Sequence, residues 1–323
     1  MKFIDWFAGI GGFRRGMELA GHECVGFCEF DKYAVMSYTS MHLLTDEQRE
    51  HLLSMDLKKR QKEILKEEYR NGEWYANDIR RVYAGDIPDA DCWCFGFPCQ
   101  DISGSGEKLG FDGSRSSLFF RVMYLLGQQS KKEKPKYLFI ENVKNLLGVN
   151  GGWDFAKLLC SMDEGGYDAE WQVLNSKDFG VPQSRERIFI VGHLRGQSRR
   201  EVLHIGTNEN KTPILQIAEW DVPRKNSQNY RVYSPEGISP TLMASTGGGK
   251  MQRIMLGDCI RQFTPKECFR LQGWTDDYFE KAQQFNSDSQ LYKQAGNGVT
   301  VNVIEAIARR FDDGIDQGHG DPI

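Results

Sequence analysis

The sequence predicts an α/β protein built on a doubly wound, mostly parallel sheet. A short apolar run at Lys2–Trp6 breaks into a glycine-rich turn at residues 7–12, and a helical pattern follows from Phe13 to Ala20. Strand, glycine turn and helix in this order open such folds. Further strands are predicted at residues 22–29, 91–95, 137–140, 170–174 and 188–192, with helices between them, chiefly at 118–129 and 153–163. Because strands and helices alternate, helices should cover both faces of the sheet.

Two segments interrupt this alternation and divide the chain. Residues 45–71 are dense in Lys, Glu and Arg with interleaved leucines, which predicts an inserted, solvent-exposed helical excursion. From residue 194 to 261, prolines and a triple-glycine run replace the regular pattern, which predicts a small irregular domain. Residues 1–193 and 262–323 should therefore form the large domain together, with the last helix, at 299–311, beside the first strand.

Composition excludes several classes of protein. Among the 323 residues no apolar run approaches the ~20 residues of a membrane span. Asp5 interrupts what would be the apolar stretch of a secretion signal, so a cytoplasmic protein is expected. The 8 Cys lack paired Cys-x-x-Cys spacing, so Cys92 and Cys94 are predicted to be reduced core thiols and no metal is expected.

Charge is distributed unevenly along the chain. The net charge is −4, but residues 194–261 contain ten Lys and Arg against six Asp and Glu. A local excess of basic groups is what a phosphate-facing surface requires. Nucleic acid is therefore a candidate partner of this segment.

The glycine turn predicts a nucleotide-like ligand. Gly9, Gly11 and Gly12 allow the backbone to approach a ligand at the carboxyl end of the first strand. Glu29 ends the second strand, where an acidic residue binds ribose hydroxyls in such domains. This pairing leaves NAD, FAD and S-adenosylmethionine open, and on the glycines alone an oxidoreductase of the Rossmann type remains an alternative.

Three further motifs carry reactive or charged side chains, and a fourth lies near the C-terminus. GFPCQ places Cys99 directly beyond a strand and next to Pro98, where a thiol is positioned to act as a nucleophile. ENV puts Glu141 at the end of the next strand, and QSRER supplies Arg185 and Arg187. The fourth motif, QAGNGV, is expected to open the last helix.

Six motifs in order, FAGIGG, GFPCQ, ENV, QSRER, TPKECFRLQGW and QAGNGV, resemble those of the cytosine-C5 DNA methyltransferases, in the compact form typical of bacteria and their phages. The resemblance covers almost the whole chain. It implies an S-adenosylmethionine-dependent methyltransferase fold with a target-recognition domain at residues 194–261. It also implies methyl transfer to carbon 5 of a cytosine flipped out of a short, specific duplex DNA sequence.

The resemblance implies a set of cofactor-binding residues. They are Phe7, Gly9, Gly11, Gly12, Glu29, Phe30, Asp78, Ile79, Leu118, Asn297 and Val299. Phe7 would lie against the adenine, Glu29 would bind the ribose hydroxyls, and Phe30 would stack where the family often has Trp. Asp78 is preferred to Asp86 because its separation of 21 residues from Cys99 matches the family's spacing.

The resemblance also implies the reaction chemistry. The Cys99 thiolate would attack carbon 6 of the cytosine, with Pro98 holding the turn. Glu141 would hydrogen-bond the ring N3 and the exocyclic amine. Arg187, with Arg185 beside it, would bind the cytosine O2 and orient Glu141.

DNA contacts are implied in two places. The glycine-rich segment 101–117 is typical of a mobile lid over a flipped base, and Ser103, Ser105 and Arg115 would face the DNA from it. In the recognition domain, Thr241 and Leu242 match a Thr-Leu pair that is frequent in the family.

The partners expected are double-stranded DNA and, in a restriction-modification system, a cognate endonuclease, with the protein acting as a monomer and away from membranes. Two alternatives keep the same family. One is a tRNA cytosine-C5 methyltransferase, and the other is a catalytically silent DNA-binding relative. The presence of Cys99, Glu141, Arg185 and Arg187 counts against the silent relative.

Overall fold

A seven-stranded sheet forms the centre of the computed structural model, which describes residues 1–97, 117–197, 201–206, 210–219, 231–244 and 252–311. Its strands are β1 (Lys2–Trp6), β2 (Glu23–Cys28), β3 (Trp74–Ala76), β4 (Cys92–Phe95), β5 (Tyr137–Val143), β6 (Tyr167–Asn175) and β7 (Glu186–Leu194). They lie in the order β3-β2-β1-β4-β5-β7-β6. Strands β1 to β5 are parallel, and β7 is antiparallel to both of its neighbours. The predicted mostly parallel sheet is confirmed.

Ten α-helices accompany the sheets in the described part of the chain. They are α1 (Gly12–Leu19), α2 (Lys32–His42), α3 (Asp46–Leu53), α4 (Leu57–Glu63), α5 (Ser117–Gln128), α6 (Trp153–Glu164), α7 (Pro265–Leu271), α8 (Asp276–Gln283), α9 (Asp288–Asn297) and α10 (Val301–Ala308). None of these described helices is long and apolar enough to cross a membrane.

Helices cover both faces of the large sheet, as predicted. On one face, α5 and α6 pack over an apolar cluster that includes Trp93 and Ile140. On the other, α1 and α10 pack over a cluster that includes Phe3 of β1 and Ile304 of α10. The last helix therefore lies beside the first strand.

Cys92 and Cys94 are fully buried in this second cluster, with their Sγ atoms 3.7 Å apart, and they are core thiols.

The segment 45–71 contains α3, α4 and a short 3-10 turn at Glu67–Arg70. Its apolar side is packed rather than solvated, because Leu52 and Ile64 are fully buried in a cluster with Phe285. The composition of residues 45–71 does not predict this packing, because its partner Phe285 follows α8, far along the chain.

A second, four-stranded sheet lies within the irregular segment. Its strands are β8 (Gln216–Glu219), β9 (Arg231–Tyr233), β10 (Arg253–Leu256) and β11 (Cys259–Gln262), in the order β11-β10-β9-β8. The described residues 201–206 of this segment lie against the large sheet instead. Val202 and Leu203 are buried there, and Arg310 donates to both of their carbonyls.

An ion pair joins the second sheet to α7. Arg261 of β11 donates to both carboxylate oxygens of Glu267, at 2.8 and 2.6 Å, and Glu267 also completes the capping box with Thr264. The hydrogen bonds from Arg261 lower the pKa of Glu267 to about 2. A lowered carboxyl pKa stabilises the folded state above the unfolded pKa and loses this effect as pH falls.

We therefore expect Glu267→Gln to lower the free energy of unfolding by about 1 kcal/mol at pH 7, a modest value because the pair is partly exposed to water. The difference between the wild type and the variant should shrink as pH falls from about 4.5 towards 3. Denaturant unfolding at several pH values measures it. An equal difference at pH 7 and pH 3 would contradict the assignment.

Candidate active site

Several of the predicted cofactor residues gather at one edge of the large sheet. Strands β1, β2, β3 and β4 are parallel neighbours, so their carboxyl ends meet at the same edge. The glycine turn follows β1, Glu29 follows β2, Asp78 follows β3 and Gly96 follows β4. Strand β3 has only three residues and was not predicted, yet it is what brings Asp78 to this edge.

The turn after β1 has an unusual backbone. Phe7, Gly9 and Gly11 have φ values of 54°, 56° and 84°, in the left-handed region. A bulky residue such as Phe7 is seldom found there, and such strain is concentrated at functional sites. A side chain added at Gly9 would meet no atom within 4 Å, so the turn leaves open space where a ligand can approach the backbone.

Glu29 supports the turn from β2. Its Oε2 accepts the Gly9 N–H at 2.7 Å, and its Oε1 accepts the Asp31 N–H at 2.7 Å. Burial raises the pKa of Glu29, and the two backbone N–H groups oppose that shift. The carboxylate keeps acceptor capacity beyond these two bonds, which suits a diol such as that of a ribose.

Beside Glu29, the ring of Phe30 is 73% exposed and carries the guanidinium of Arg80 5.7 Å from its centroid. Asp78 accepts hydrogen bonds from Arg80, and Ile79 is buried beneath them. Asp86 belongs to a 3-10 turn and ends no strand. The region therefore offers a flat aromatic surface next to two carboxylates.

The C-terminal motif QAGNGV does not open the last helix, and this expectation was wrong. Gln294 to Asn297 close α9, and α10 begins only at Val301. The break follows from the extended backbone of Gly298. Asn297 is exposed at the end of α9, and Val299 lies so close to Gly12 that a Cβ there would be 2.6 Å from its Cγ2.

The remaining predicted cofactor residue, Leu118, lies in the first turn of α5. It is half-buried against the apolar cluster under α5 and α6. Leu118, although predicted to bind the cofactor, therefore also packs against the apolar core.

An ion pair occupies the middle of the edge. Glu141 of β5 is paired with Phe189 of the antiparallel β7, two residues from Arg187, so Glu141 and Arg187 are diagonal neighbours on one face of the sheet. The Arg187 Nε lies 3.0 Å from Glu141 Oε1, and their side chains are 16% and 11% exposed. Burial raises the pKa of Glu141, while Arg187 and then Arg185 oppose the shift.

The chain leaving β4 is held against this pair. Asn142 donates through Nδ2 to the Phe97 carbonyl at 3.2 Å, and a Cβ at Gly96 would lie 3.2 Å from Glu141 Oε2. Cys99 follows two residues after Phe97. Pro98 and Cys99 lie outside the described residues, as do the predicted DNA contacts Ser103, Ser105 and Arg115.

Arg185 is not directed at the same place as Arg187. Its side chain is buried and donates to the carbonyls of Gly298 at 2.7 Å, Gly296 at 3.2 Å and Leu242 at 3.4 Å. In this structure the guanidinium of Arg185, which was expected beside Arg187 at the cytosine oxygen, is hydrogen-bonded to backbone carbonyls. Short-range sequence patterns cannot show this, because the three carbonyls come from distant segments.

The predicted DNA contacts at 241–242 are turned towards the protein. The Thr241 hydroxyl donates to the Ser184 carbonyl at 2.7 Å. Leu242 is 3% exposed and belongs to an apolar cluster with Phe269 and Trp274. Leu242 therefore anchors the segment and offers no side-chain surface to DNA, which corrects that expectation.

Sequence reasoning missed His42, which braces the glycine turn. Its Nε2 lies 3.0 Å from the Ile10 carbonyl, and a Cβ at Gly11 would approach the same nitrogen to 2.5 Å. Burial lowers the pKa of His42 well below its usual value, so the ring is neutral and donates to the carbonyl. No local motif marks this residue, since its partner lies 32 positions earlier.

Comparison with known proteins shows which family this chain resembles along its whole length. The model of the C-5 cytosine-specific DNA methylase family matches residues 1–48, 39–231 and 215–312. The Type II methyltransferase M.HhaI of Haemophilus parahaemolyticus is 34% identical, over 95% of this chain and 93% of its own. M.NlaX of Neisseria lactamica, also a Type II methyltransferase, is 32% identical over 96% of each chain.

Among solved structures, the Dnmt2 methyltransferase of S. pombe has a TM-score of 0.66 and 18% identity, covering 95% of this chain and 96% of its own. At that identity the likeness concerns the fold.

Proposed function

This chain belongs to the family of C-5 cytosine-specific DNA methylases, and we propose that Cys99, Glu141 and Arg187 are the residues with which it methylates a cytosine in duplex DNA. S-adenosylmethionine supplies the methyl group when bound. The observation that carries the proposal is the buried Glu141–Arg187 pair, packed against the segment that leads to Cys99. The target base must leave the helix to reach such a pair.

The roles follow from the chemistry of the ring. The Cys99 thiolate forms a bond to carbon 6, and the ring electrons move towards carbon 5, which becomes nucleophilic. Burial raises the pKa of Glu141, which favours the protonated carboxyl that a hydrogen bond to the ring N3 requires as negative charge develops. Arg187 keeps its ion pair with Glu141 and directs its remaining N–H groups towards the cytosine O2. After methylation, a base takes the carbon 5 proton, and the electrons of that bond restore the C5–C6 double bond and release the Cys99 thiolate. The N3 proton returns to Glu141.

The residues around the glycine turn fit S-adenosylmethionine. Open space at Gly9, spare acceptor capacity on Glu29 and the exposed ring of Phe30 suit a backbone approach, a ribose diol and an adenine face. The positions that we propose to bind it are Phe7, Gly9, Gly11, Gly12, Glu29, Phe30, Asp78, Ile79, Leu118, Asn297 and Val299.

Target recognition is assigned to residues 194–261. The small sheet carries Arg231, Arg253 and Arg261 on its strands, and the segment as a whole has an excess of basic groups. Phosphate contacts from such groups position a protein on DNA, and a few side chains then read base edges. Ser103, Ser105 and Arg115 remain further proposed DNA contacts.

The Type II relatives support a place in a restriction-modification system. We propose that the protein acts as a monomer in the cytoplasm, on DNA that a cognate endonuclease would otherwise cut.

Bisulfite sequencing of DNA from a methylation-deficient host that expresses the protein tests this function. We expect one cytosine within a short motif to be protected, because family members act at specific sites. Protection should disappear in Cys99→Ala, which removes the nucleophile, and persist in the control Cys160→Ala, an exposed cysteine of α6. Folded wild-type protein that protects no DNA cytosine but methylates tRNA would contradict the DNA substrate.

A further inference from the structure

A buried cluster of polar side chains lies where several sequence motifs meet. We call Gln183, Arg185, Gln272 and Thr300 the polar hub; each is at most 3% exposed. They come from QSRER, from TPKECFRLQGW and from the residue directly after QAGNGV. None of these side chains takes part in the chemistry proposed above.

The two glutamines of the hub connect separate segments. Gln183 donates to the Leu271 carbonyl at 2.8 Å, and its oxygen accepts the Leu242 N–H at 2.9 Å. Gln272 donates to the Ala295 carbonyl at 2.8 Å, and its oxygen accepts the Thr300 hydroxyl at 2.8 Å. Because buried polar groups are costly when unpaired, each bond specifies where these segments lie.

Arg185 joins the two sides of the hub. One side is the segment 239–244, which belongs to the proposed recognition region and receives a hydrogen bond at the Leu242 carbonyl. The other is the segment 296–299, which receives hydrogen bonds at the carbonyls of Gly296 and Gly298. A guanidinium presents several fixed donors, so it can serve carbonyls from two segments at once.

The two segments also touch directly. A Cβ at Gly296 would lie 2.5 Å from the Ala244 nitrogen, so the backbone of 243–244 crosses over the end of α9 with no room for a side chain. On its far side the 296–299 segment reaches the glycine turn, through the close contact of Val299 with Gly12. A continuous packed path therefore runs from the recognition region to the proposed cofactor pocket.

We propose that Arg185 is a positioning residue that holds the 239–244 and 296–299 segments in one register, so that the DNA-binding surface and the cofactor pocket both depend on its guanidinium. This inference rests on the proposed function for the identity of the two ligands. The two arginines of QSRER then have different roles. Arg187 contacts Glu141 at the reacting base, whereas Arg185 acts through backbone carbonyls.

The test compares Arg185→Lys with Arg187→Lys in the full-length protein. Lysine keeps the charge but cannot serve several carbonyls in the geometry of a guanidinium. For Arg185→Lys we expect Kd for S-adenosylhomocysteine and Kd for target duplex DNA each to rise about tenfold, while the single-turnover rate at saturation stays within about threefold of wild type. For Arg187→Lys we expect the reverse, with affinities nearly unchanged and a rate lowered about a hundredfold. Arg309→Lys, a change at a surface ion pair of α10 with Glu305, is the matched control.

Hydrogen exchange supplies a second readout that does not depend on activity. In Arg185→Lys, amide protection should fall in both 239–244 and 296–299, and stay unchanged around Glu141 and Arg187. Loss of rate at saturation with unchanged affinities and unchanged protection would overturn the proposal and make Arg185 a catalytic contact. A wild-type protein that is inactive on DNA would instead refute the proposed function, and the exchange and S-adenosylhomocysteine measurements would still test the hub.

Discussion

Glu141→Gln is expected to lower the single-turnover rate of cytosine methylation by a factor of about 10²–10⁴, the range for removing a general acid. The amide can still accept a hydrogen bond from Arg187, so the fold and the binding of S-adenosylhomocysteine should be retained. What it loses is the proton that the carboxyl donates to the ring N3. Transfer of a labelled methyl group to target duplex DNA at saturating concentrations measures the effect.

Glu186→Gln is the matched control for this substitution. Glu186 neighbours Arg187 in the chain, but its side chain is 48% exposed and pairs with Lys144 on the surface. It should leave the rate unchanged. An unimpaired Glu141→Gln enzyme would remove Glu141 from the mechanism.

The same variant reports on the burial of Glu141. A carboxyl whose pKa is raised on folding binds its proton more tightly in the folded state. Its contribution to stability is present at low pH and is lost as pH rises through the folded pKa. The wild type should therefore become less stable relative to Glu141→Gln as pH rises above 4.5, the ordinary pKa of the carboxyl, as measured by denaturant unfolding at each pH. An opposite trend would mean that the ion pair with Arg187 outweighs burial.

Gly12→Ala should weaken the binding of S-adenosylhomocysteine about tenfold. The added Cβ would lie 2.6 Å from Val299 Cγ2 and 3.1 Å from the Val299 carbonyl oxygen, so the turn and the 296–299 segment must separate. Forcing a methyl group into such a contact costs on the order of 1–3 kcal/mol, and 1.4 kcal/mol is tenfold in affinity. Calorimetric titration of the purified variant measures it.

Gly127→Ala provides the control for an added methyl group. Gly127 lies in α5, and its Cβ would meet no atom within 4 Å. This variant should bind as the wild type does. Unchanged binding by Gly12→Ala would show that Val299 is not part of the cofactor pocket.

The elements that local pattern specifies were predictable. Strand β1, helices α1, α5 and α6, and the strands that end near Cys99 and Glu141 follow from apolar periodicity and glycine position, which act over a few residues. The three-residue β3 was missed because so short a strand has no pattern of its own. The helix boundary at QAGNGV was misplaced for a related reason, since the motif fits the end of one helix as well as the start of another.

The placement of charged groups could not be derived in this way. Arg185 and Arg187 are two residues apart, and sequence reasoning gave them one shared role. Antiparallel pairing of β7 with β5 brings Arg187 to Glu141, while Arg185 reaches carbonyls up to 113 positions away. Leu242 shows the same limit, because its burial depends on the cluster formed by α7 and its neighbours.

The sequence by itself therefore determined the family and the α/β architecture, and it predicted the glycine turn and the candidate reactive residues, because these depend on residue types at short spacing. Tertiary structure alone decided which carboxylate faces which guanidinium, where the glycine turn is open, and which polar residues join the 239–244 and 296–299 segments. The physical reason is that buried ion pairs and hydrogen bonds are made between segments far apart in the chain, and only the packing of the whole fold sets their distances.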